Sequence, residues 1–211
     1  MNDETDTSDD VIELSASRPG DGRDTRKLLA YWSGLQDGRT VPKRADIDPR
    51  RIEGLLSDTF ILERIAPGLA RFRVAGANLA ELMGMDVRGM PVSSFINPEG
   101  REAFAGALAR LFEEPATVQL DLVSASGFGQ PKLTGRMLLL PLRSDLGDVS
   151  RAIGCLVADG RPGRVPRRFD VARMRVAPVD GGPVEVRRPE PAPRPVPVKR
   201  GPPHLRLVTS N

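Results

Sequence analysis

The sequence predicts an α+β domain in which a five-stranded antiparallel sheet carries helices on one face. Runs with the alternation and residue types of strands occur in two groups, at residues 59–75 and 118–158. Segments with helical spacing of apolar residues lie before the first group and between the two groups. Strands in two runs around a helical insert favour an antiparallel sheet with helices packed against it.

Two helices are predicted before the first strand. The first carries a single apolar stripe, made of Leu28, Leu29, Trp32 and Leu35. Gly38 is expected to end this helix, because glycine adopts the left-handed conformation of a helix C-cap at little cost. The second helix is short and is predicted to begin with Asp48 as a side-chain cap and Pro49 at the first helical position.

The next segment changes to the period of a strand. Residues 59–65 and 71–75 are predicted to form a hairpin around a turn at residues 66–69. In the second strand, Phe72 and Val74 are expected to face the core, and Arg71 and Arg73 to face outward. A short helix is predicted from Gly76 to Gly84, and residues 85–95 are predicted to form a loop.

One longer helix and three strands complete the predicted domain. Asn97 is expected to cap the helix, followed by Pro98 at its first position, and Pro115 is expected to end it. Its apolar stripe consists of Phe104, Leu108, Leu111 and Phe112. The strands are predicted at residues 118–122, 133–142 and 152–158, with Cys155 as a small buried residue of the last one.

Charge and proline are unevenly distributed along the 211 residues, although the formal net charge is only +3. Residues 1–24 hold eight acidic and two basic residues. Residues 161–211 hold twelve basic and four acidic residues and eleven of the 20 prolines. We therefore expect a disordered acidic tail at residues 1–24, a domain at residues 25–160 and a basic, proline-rich, low-complexity tail at residues 161–211.

Composition excludes several classes of protein. No apolar run approaches the roughly 18 residues of a membrane-spanning helix, and the acidic start is unlike a secretory signal. A single cysteine, Cys155, excludes an internal disulfide, and a single histidine, His204, excludes a histidine-rich metal site. We expect a cytoplasmic protein without a metal site.

Several motifs accompany this order of elements: Trp32 in the first helix, the run from Gly38-Arg39 through Pro42 and Arg44 to Ile47-Asp48-Pro49, and Arg71-Phe72-Arg73 followed by Gly76. Gly84 with Gly89, and the strand end at residues 138–142, belong to the same set. Together the order of elements and these motifs resemble a PAS-like family of small stand-alone bacterial proteins. The resemblance covers residues 25–160. It implies a sensory or regulatory role, exerted through a small ligand or through protein contacts.

The residues give no support for a cofactor. A haem-binding PAS domain typically uses a histidine on the long helix, and residues 97–114 contain no histidine, cysteine or tyrosine. A photoactive flavin domain needs a reactive cysteine in a helix, whereas Cys155 lies in a predicted strand. We therefore expect neither haem nor flavin, and no catalytic residues, because the domain also lacks a histidine or a Gly-x-Ser-x-Gly nucleophile motif.

Three residues are candidates for contact with a ligand or partner: Trp32, Arg71 and Arg73. Trp32 is consistent with packing on the sheet or with a dimer contact. The two arginines are consistent with a salt-bridged sheet face or with gripping an anionic group, since guanidinium suits bidentate contacts. We expect a non-enzymatic regulatory module with a protein partner or a second copy of itself. The alternative is an adaptor that binds nucleic acid or an anionic membrane surface through the basic C-terminal tail.

Overall fold

The computed structural model describes residues 22–36, 41–180 and 185–187. Of the disordered tail expected at residues 1–24, residues 1–21 lie outside the described residues, whereas Arg23 and Asp24 belong to the first helix, which corrects the expected bound. The expected helix stop at Gly38 and the proline-rich residues 189–197 also lie outside the described residues. The three α-helices in the described part are α1 (Arg23–Gly34), α2 (Ala77–Met83) and α3 (Arg101–Glu113). Four short 3₁₀ helices span Arg44–Asp46, Pro49–Leu55, Val92–Phe95 and Pro98–Gly100. No helix in this part of the chain is long and apolar enough to cross a membrane.

One antiparallel sheet organises the molecule. Its strands are β1 (Thr59–Ala66), β2 (Leu69–Ala75), β3 (Ala116–Ser124), β4 (Leu133–Arg143), β5 (Val149–Asp159), β6 (Asp170–Pro178) and β7 (Glu185–Arg187). Their order across the sheet is β2-β1-β5-β4-β3-β6-β7. The predicted α+β class and the antiparallel sheet are confirmed, and the sheet has seven strands in place of the expected five.

The two additional strands come from residues expected to lie in the C-terminal tail. That expectation is corrected for Asp170–Pro178, where Val171, Met174 and Val176 are buried against the rest of the domain, and for Glu185–Arg187, which pairs with β6. Asp121 pairs with Arg173 and Leu122 pairs with Val171, so Ala172 is an extra residue, a β-bulge. Because of the bulge, the buried residues Val171 and Met174 are three positions apart instead of two. The sequence therefore lacks the regular alternation typical of a strand.

Helices cover the sheet on both faces. Helices α2 and α3 pack on the face that we call the inner face, against alternate strand residues such as Met137 and Leu139. The intervening residues, such as Leu138 and Leu140, point to the opposite or outer face, where they pack with Leu28 and Trp32 of α1. The expectation of helices on one face therefore holds for α2 and α3, and α1 occupies the other face.

Two local predictions are wrong for reasons that the fold makes clear. Val74 is 52% exposed, although it was expected in the core. Ile61 pairs with Val74 and Leu62 with Phe72, so Arg73 is a bulge that turns Val74 outward. The expected side-chain cap at Asn97 is also absent, because its Nδ2 donates to Asp170 Oδ1 at 2.7 Å on the incoming β6.

Candidate functional site

The inner face of the sheet is occupied by packed side chains. The rings of Phe60 and Phe72 meet edge to face at 5.2 Å between centroids, and those of Phe72 and Phe95 at 5.6 Å. A Cβ added at Gly154 would come within 2.5 Å of the Phe60 ring and 2.6 Å of the Leu138 carbonyl oxygen. The space over Gly154 on β5 is therefore filled, whereas exposed clusters of arginines lie on the outer face of the sheet.

Helix α1 divides the outer face into two exposed flanks. Its Trp32 is 2% exposed and packs over β4 and β5, with Nε1 donating to the Pro141 carbonyl oxygen at 2.9 Å. The last residue pair between β3 and β4 is Val118 with Leu139, and Pro141 lies beyond it. The lack of an N–H group at Pro141 therefore costs no hydrogen bond to β3. The buried indole makes Trp32 a packing residue in this structure.

On one flank, three arginines converge on a single glutamate. Arg71 donates to Glu63 Oε2 through Nε at 3.0 Å and through Nη2 at 2.8 Å. Arg73 Nε lies 3.3 Å from the same oxygen, and Arg151 Nη2 lies 2.9 Å from Oε1. The hydrogen bonds from Arg71 hold the pKa of Glu63 below its ordinary value, and the charges of Arg151 and Arg73 act in the same direction. Glu63 is therefore ionised at neutral pH, and the cluster carries two excess positive charges.

Strand pairing explains how these side chains meet. Glu63 of β1 lies opposite Arg71 of β2 on one side and Arg151 of β5 on the other. The bulge at Arg73 adds a third arginine to the same side of the ribbon. Exposed apolar side chains border the cluster along β2, Leu69 at one end and Val74 at the other. We call this surface the ribbon face; it comprises Glu63, Leu69, Arg71, Arg73, Val74 and Arg151.

The structure thus brings two of the three sequence-predicted residues together. Arg71 and Arg73 share the ribbon face, whereas Trp32 lies under α1. Glu63 and Arg151 were not among the residues predicted from the sequence. Alternation along β1 places Glu63 on the outer face, but which strand lies beside it depends on pairing between residues 88 positions apart, and no local pattern encodes that.

On the other flank, arginines line a cleft of about 350 Å³. We call it the arginine cleft; its polar walls are Thr25, Arg26, Gln119, Asp121, Arg136, Arg173 and Arg175. Arg136 Nε lies 3.4 Å from Asp121 Oδ1. Arg173 and Arg175 make no hydrogen bond or ion pair with any residue in the described part of the chain. This flank therefore also carries an excess of positive charge.

A third arginine site is structural. The Arg167 side chain is 1% exposed, and its guanidinium donates to Ser124 Oγ and to the carbonyl oxygens of Pro131 and Pro162. Four of its donor contacts are thus met by neutral acceptors, which ties the segment before β6 to the β3–β4 connection. Arg167 falls within residues 161–211, which were expected to form a low-complexity tail, and its burial corrects that expectation.

The lone thiol is placed as predicted, in the interior of a strand. Cys155 lies on β5, is 1% exposed and packs beneath α1. Burial raises its pKa to about 12, so the group is a neutral thiol at physiological pH. Among the described residues, no group of three or more histidines, cysteines and acidic residues is positioned to hold a metal ion.

Comparison with known proteins places this architecture in a family. A search of curated proteins found no match. A family model described as a PAS domain matches residues 21–157, which include α1 and strands β1 to β4 in full and most of β5. PAS domains are in general sensory or regulatory modules without catalytic activity. The chain belongs to the PAS domain family.

Proposed function

We propose that this chain is a non-enzymatic regulatory module that acts by binding another protein at the ribbon face. The observation that carries the proposal is the convergence of Arg71, Arg73 and Arg151 on Glu63, bordered by exposed Val74 and Leu69. Arginine and apolar side chains together are typical of the central part of protein interfaces. The filled inner face supports placing the contact on the outside of the sheet.

The electrostatics of the cluster suit an acidic partner group. Glu63 neutralises one of three guanidinium groups, and Arg73 Nε lies 3.3 Å from its Oε2. The side chain of Arg73 is 54% exposed. A carboxylate on the partner can therefore bind Arg73 without breaking the bonds between Arg71 and Glu63. A second copy of this chain is one candidate partner, as it offers acidic side chains of its own.

The position of Arg151 suggests how such binding would reach the rest of the domain. Arg151 is two residues from Ile153 on β5, and Ile153 packs beneath α1 with Trp32. A partner that pulls on the cluster would bias the packing of α1 on the sheet. The regulatory step we propose is therefore a population shift of the N-terminal helix.

Affinity capture from an extract of the protein's own cells tests this proposal. The full chain is compared with Arg73→Ala, which leaves both Arg71 and Arg151 on Glu63, and with Arg168→Ala as the matched control. Arg168 is an exposed arginine just before β6, a strand that three others separate from β1 in the sheet. We expect proteins enriched by the wild type and by Arg168→Ala to fall about tenfold with Arg73→Ala, a change of about 1.4 kcal/mol. Equal capture by all three chains would contradict the proposal.

The alternative, an adaptor for nucleic acid or anionic membrane, draws on the basic residues after position 160. In the described residues these arginines are dispersed. Arg167 is buried among carbonyl groups, whereas Arg173 and Arg175 lie on the outer face of the sheet. This dispersion favours a protein partner. Capture that collapses between 50 and 200 mM salt would instead support the adaptor, since phosphate binding depends steeply on salt.

A further inference from the structure

The arginine cleft lies where the chain enters the domain. Gly22, the first described residue, lines the cleft together with Thr25 and Arg26. The guanidinium of Arg136 packs directly against Gly22, in the space that a Cβ there would occupy. Gly22 has φ +80°, a conformation suited to glycine. Whatever precedes Gly22 therefore starts at the wall of the cleft.

The cleft has more positive charge than its own carboxylate neutralises. Among the described residues of its wall, Asp121 is the one with an acidic side chain, and it lies between Arg136 on β4 and Arg173 on β6 in the strand register. Arg175 lies two positions along β6 from Arg173, opposite Gln119. Within the described chain, neither Arg173 nor Arg175 has a hydrogen-bond or ion-pair partner. An anionic ligand would therefore meet guanidinium groups that are free to bind it.

The sequence supplies a ligand of this chemistry next to the cleft. Residues 1–21 contain seven acidic residues and one basic residue. Six of the acidic residues lie between positions 3 and 13: Asp3, Glu4, Asp6, Asp9, Asp10 and Glu13. Glu13 is nine residues from Gly22, and an extended chain of nine residues spans about 30 Å.

We propose that the acidic segment of residues 3–13 binds in the arginine cleft of the same chain. Carboxylates of the segment would pair with Arg173 and Arg175 and neutralise positive charge in the cleft that Asp121 does not neutralise. The short tether raises the effective concentration of the segment at the cleft to about 1 mM, so even weak ion pairs are populated. The segment would then exclude other acidic ligands from this flank, while the ribbon face on the other side of α1 stays open.

A labelled peptide of residues 1–21 tests the proposal by competition. Its affinity is measured by fluorescence anisotropy for the full chain and for a full chain neutralised at the segment by Asp3→Asn, Glu4→Gln, Asp6→Asn, Asp9→Asn, Asp10→Asn and Glu13→Gln. In the wild type the tethered segment competes with the peptide. We expect the neutralised chain to bind the peptide about tenfold more tightly, with affinity falling as salt rises.

Two further variants of the neutralised chain locate the binding site. Arg173→Gln with Arg175→Gln is expected to abolish peptide binding, whereas Lys43→Gln with Arg50→Gln removes the same charge from an exposed region elsewhere and is expected to preserve it. Equal affinity of the peptide for the wild-type and neutralised chains would overturn the proposal. Peptide binding that is unchanged by Arg173→Gln with Arg175→Gln would overturn it as well. The difference in peptide affinity between the wild-type and neutralised chains should be the same at chain concentrations a hundredfold apart. Competition confined to the higher concentration would assign the cleft to the segment of a second copy and overturn the intramolecular contact.

Discussion

Trp32 of α1 donates its indole N–H to the carbonyl oxygen of Pro141 on β4, across 109 positions of the chain. The bond fixes the helix on the outer face between the ribbon face and the arginine cleft. Helix α1 separates the two surfaces, so the packing of Trp32 affects the position of both.

Trp32→Phe tests the importance of this bond. Phenylalanine keeps an aromatic ring in the site but leaves the buried Pro141 carbonyl without its donor. We expect the free energy of unfolding to fall by about 1 to 3 kcal/mol, the cost of an unsatisfied buried acceptor. Urea unfolding followed by circular dichroism measures it, with Ser33→Ala on the exposed side of α1 as the control. Equal losses in the two variants would show that the bond contributes nothing.

Gly154→Ala tests whether the inner face is filled. The added methyl group would meet the Phe60 ring and the Leu138 carbonyl oxygen, and neither can retreat within a central strand. We expect a loss of about 1 to 3 kcal/mol in unfolding free energy, as is usual for overpacking. Gly34→Ala is the matched control, because a Cβ at Gly34 meets nothing within 4 Å. It should be neutral or stabilising, since alanine favours helix over glycine. A Gly154→Ala chain as stable as the wild type would argue for empty space at this position.

Met174→Ala tests whether β6 belongs to the domain. Met174 is 3% exposed and packs with the inner-face core, so its truncation should cost about 2 to 5 kcal/mol. Val186→Ala, at a side chain that is half exposed on neighbouring β7, should cost well under half as much. Thermal unfolding of the full chain compares the two. A Met174→Ala chain with the melting temperature of the wild type would place residues 170–178 outside the folded unit.

The ease of prediction differed between elements for physical reasons. Helix α2 and strand β3 follow regular periods, and the buried residues Leu79 and Leu120 lie where those periods put them. Strands β4 and β5 were predicted from uniformly apolar runs, and their central residues are buried. Two of the failures in strands come from bulges. One extra residue at Arg73 turned Val74 outward, and one at Ala172 concealed β6. A bulge depends on pairing with a distant strand, so local alternation cannot reveal it.

The candidate sites show the same division. The sequence predicted that Arg71 and Arg73 lie on the outward side of one strand, and both are part of the ribbon face. Their partner Glu63 and the third arginine, Arg151, come from two other strands. The arginine cleft combines residues of α1, β3, β4 and β6, and it could not be anticipated while β6 was assigned to a tail.

Acid should destabilise the ribbon cluster through Glu63. Its pKa in the folded protein lies below the ordinary value of 4.5, chiefly because of the hydrogen bonds from Arg71. The ionised carboxylate therefore stabilises the fold fully above about pH 5, and this contribution is lost as the pH falls through the folded pKa. The stability difference between wild type and Glu63→Gln should be constant from pH 5 to 7 and shrink below pH 4.5. Urea unfolding at each pH measures it, with Glu53→Gln as the matched control. A difference that persists unchanged at pH 3 would contradict this role of Glu63.

Photo-cross-linking from the ribbon face tests the central claim most directly. A photoreactive amino acid at Val74 samples the exposed border of the cluster, and one at Leu146, which is 96% exposed in the β4–β5 turn, is the control. The full chain is irradiated in its own cells, and adducts are identified by mass spectrometry. We predict a discrete protein adduct from position 74 that is absent from position 146 and is lost when Arg73→Ala is added. No adduct at position 74, or the same adducts from both positions, would contradict the claim that the ribbon face binds a protein partner.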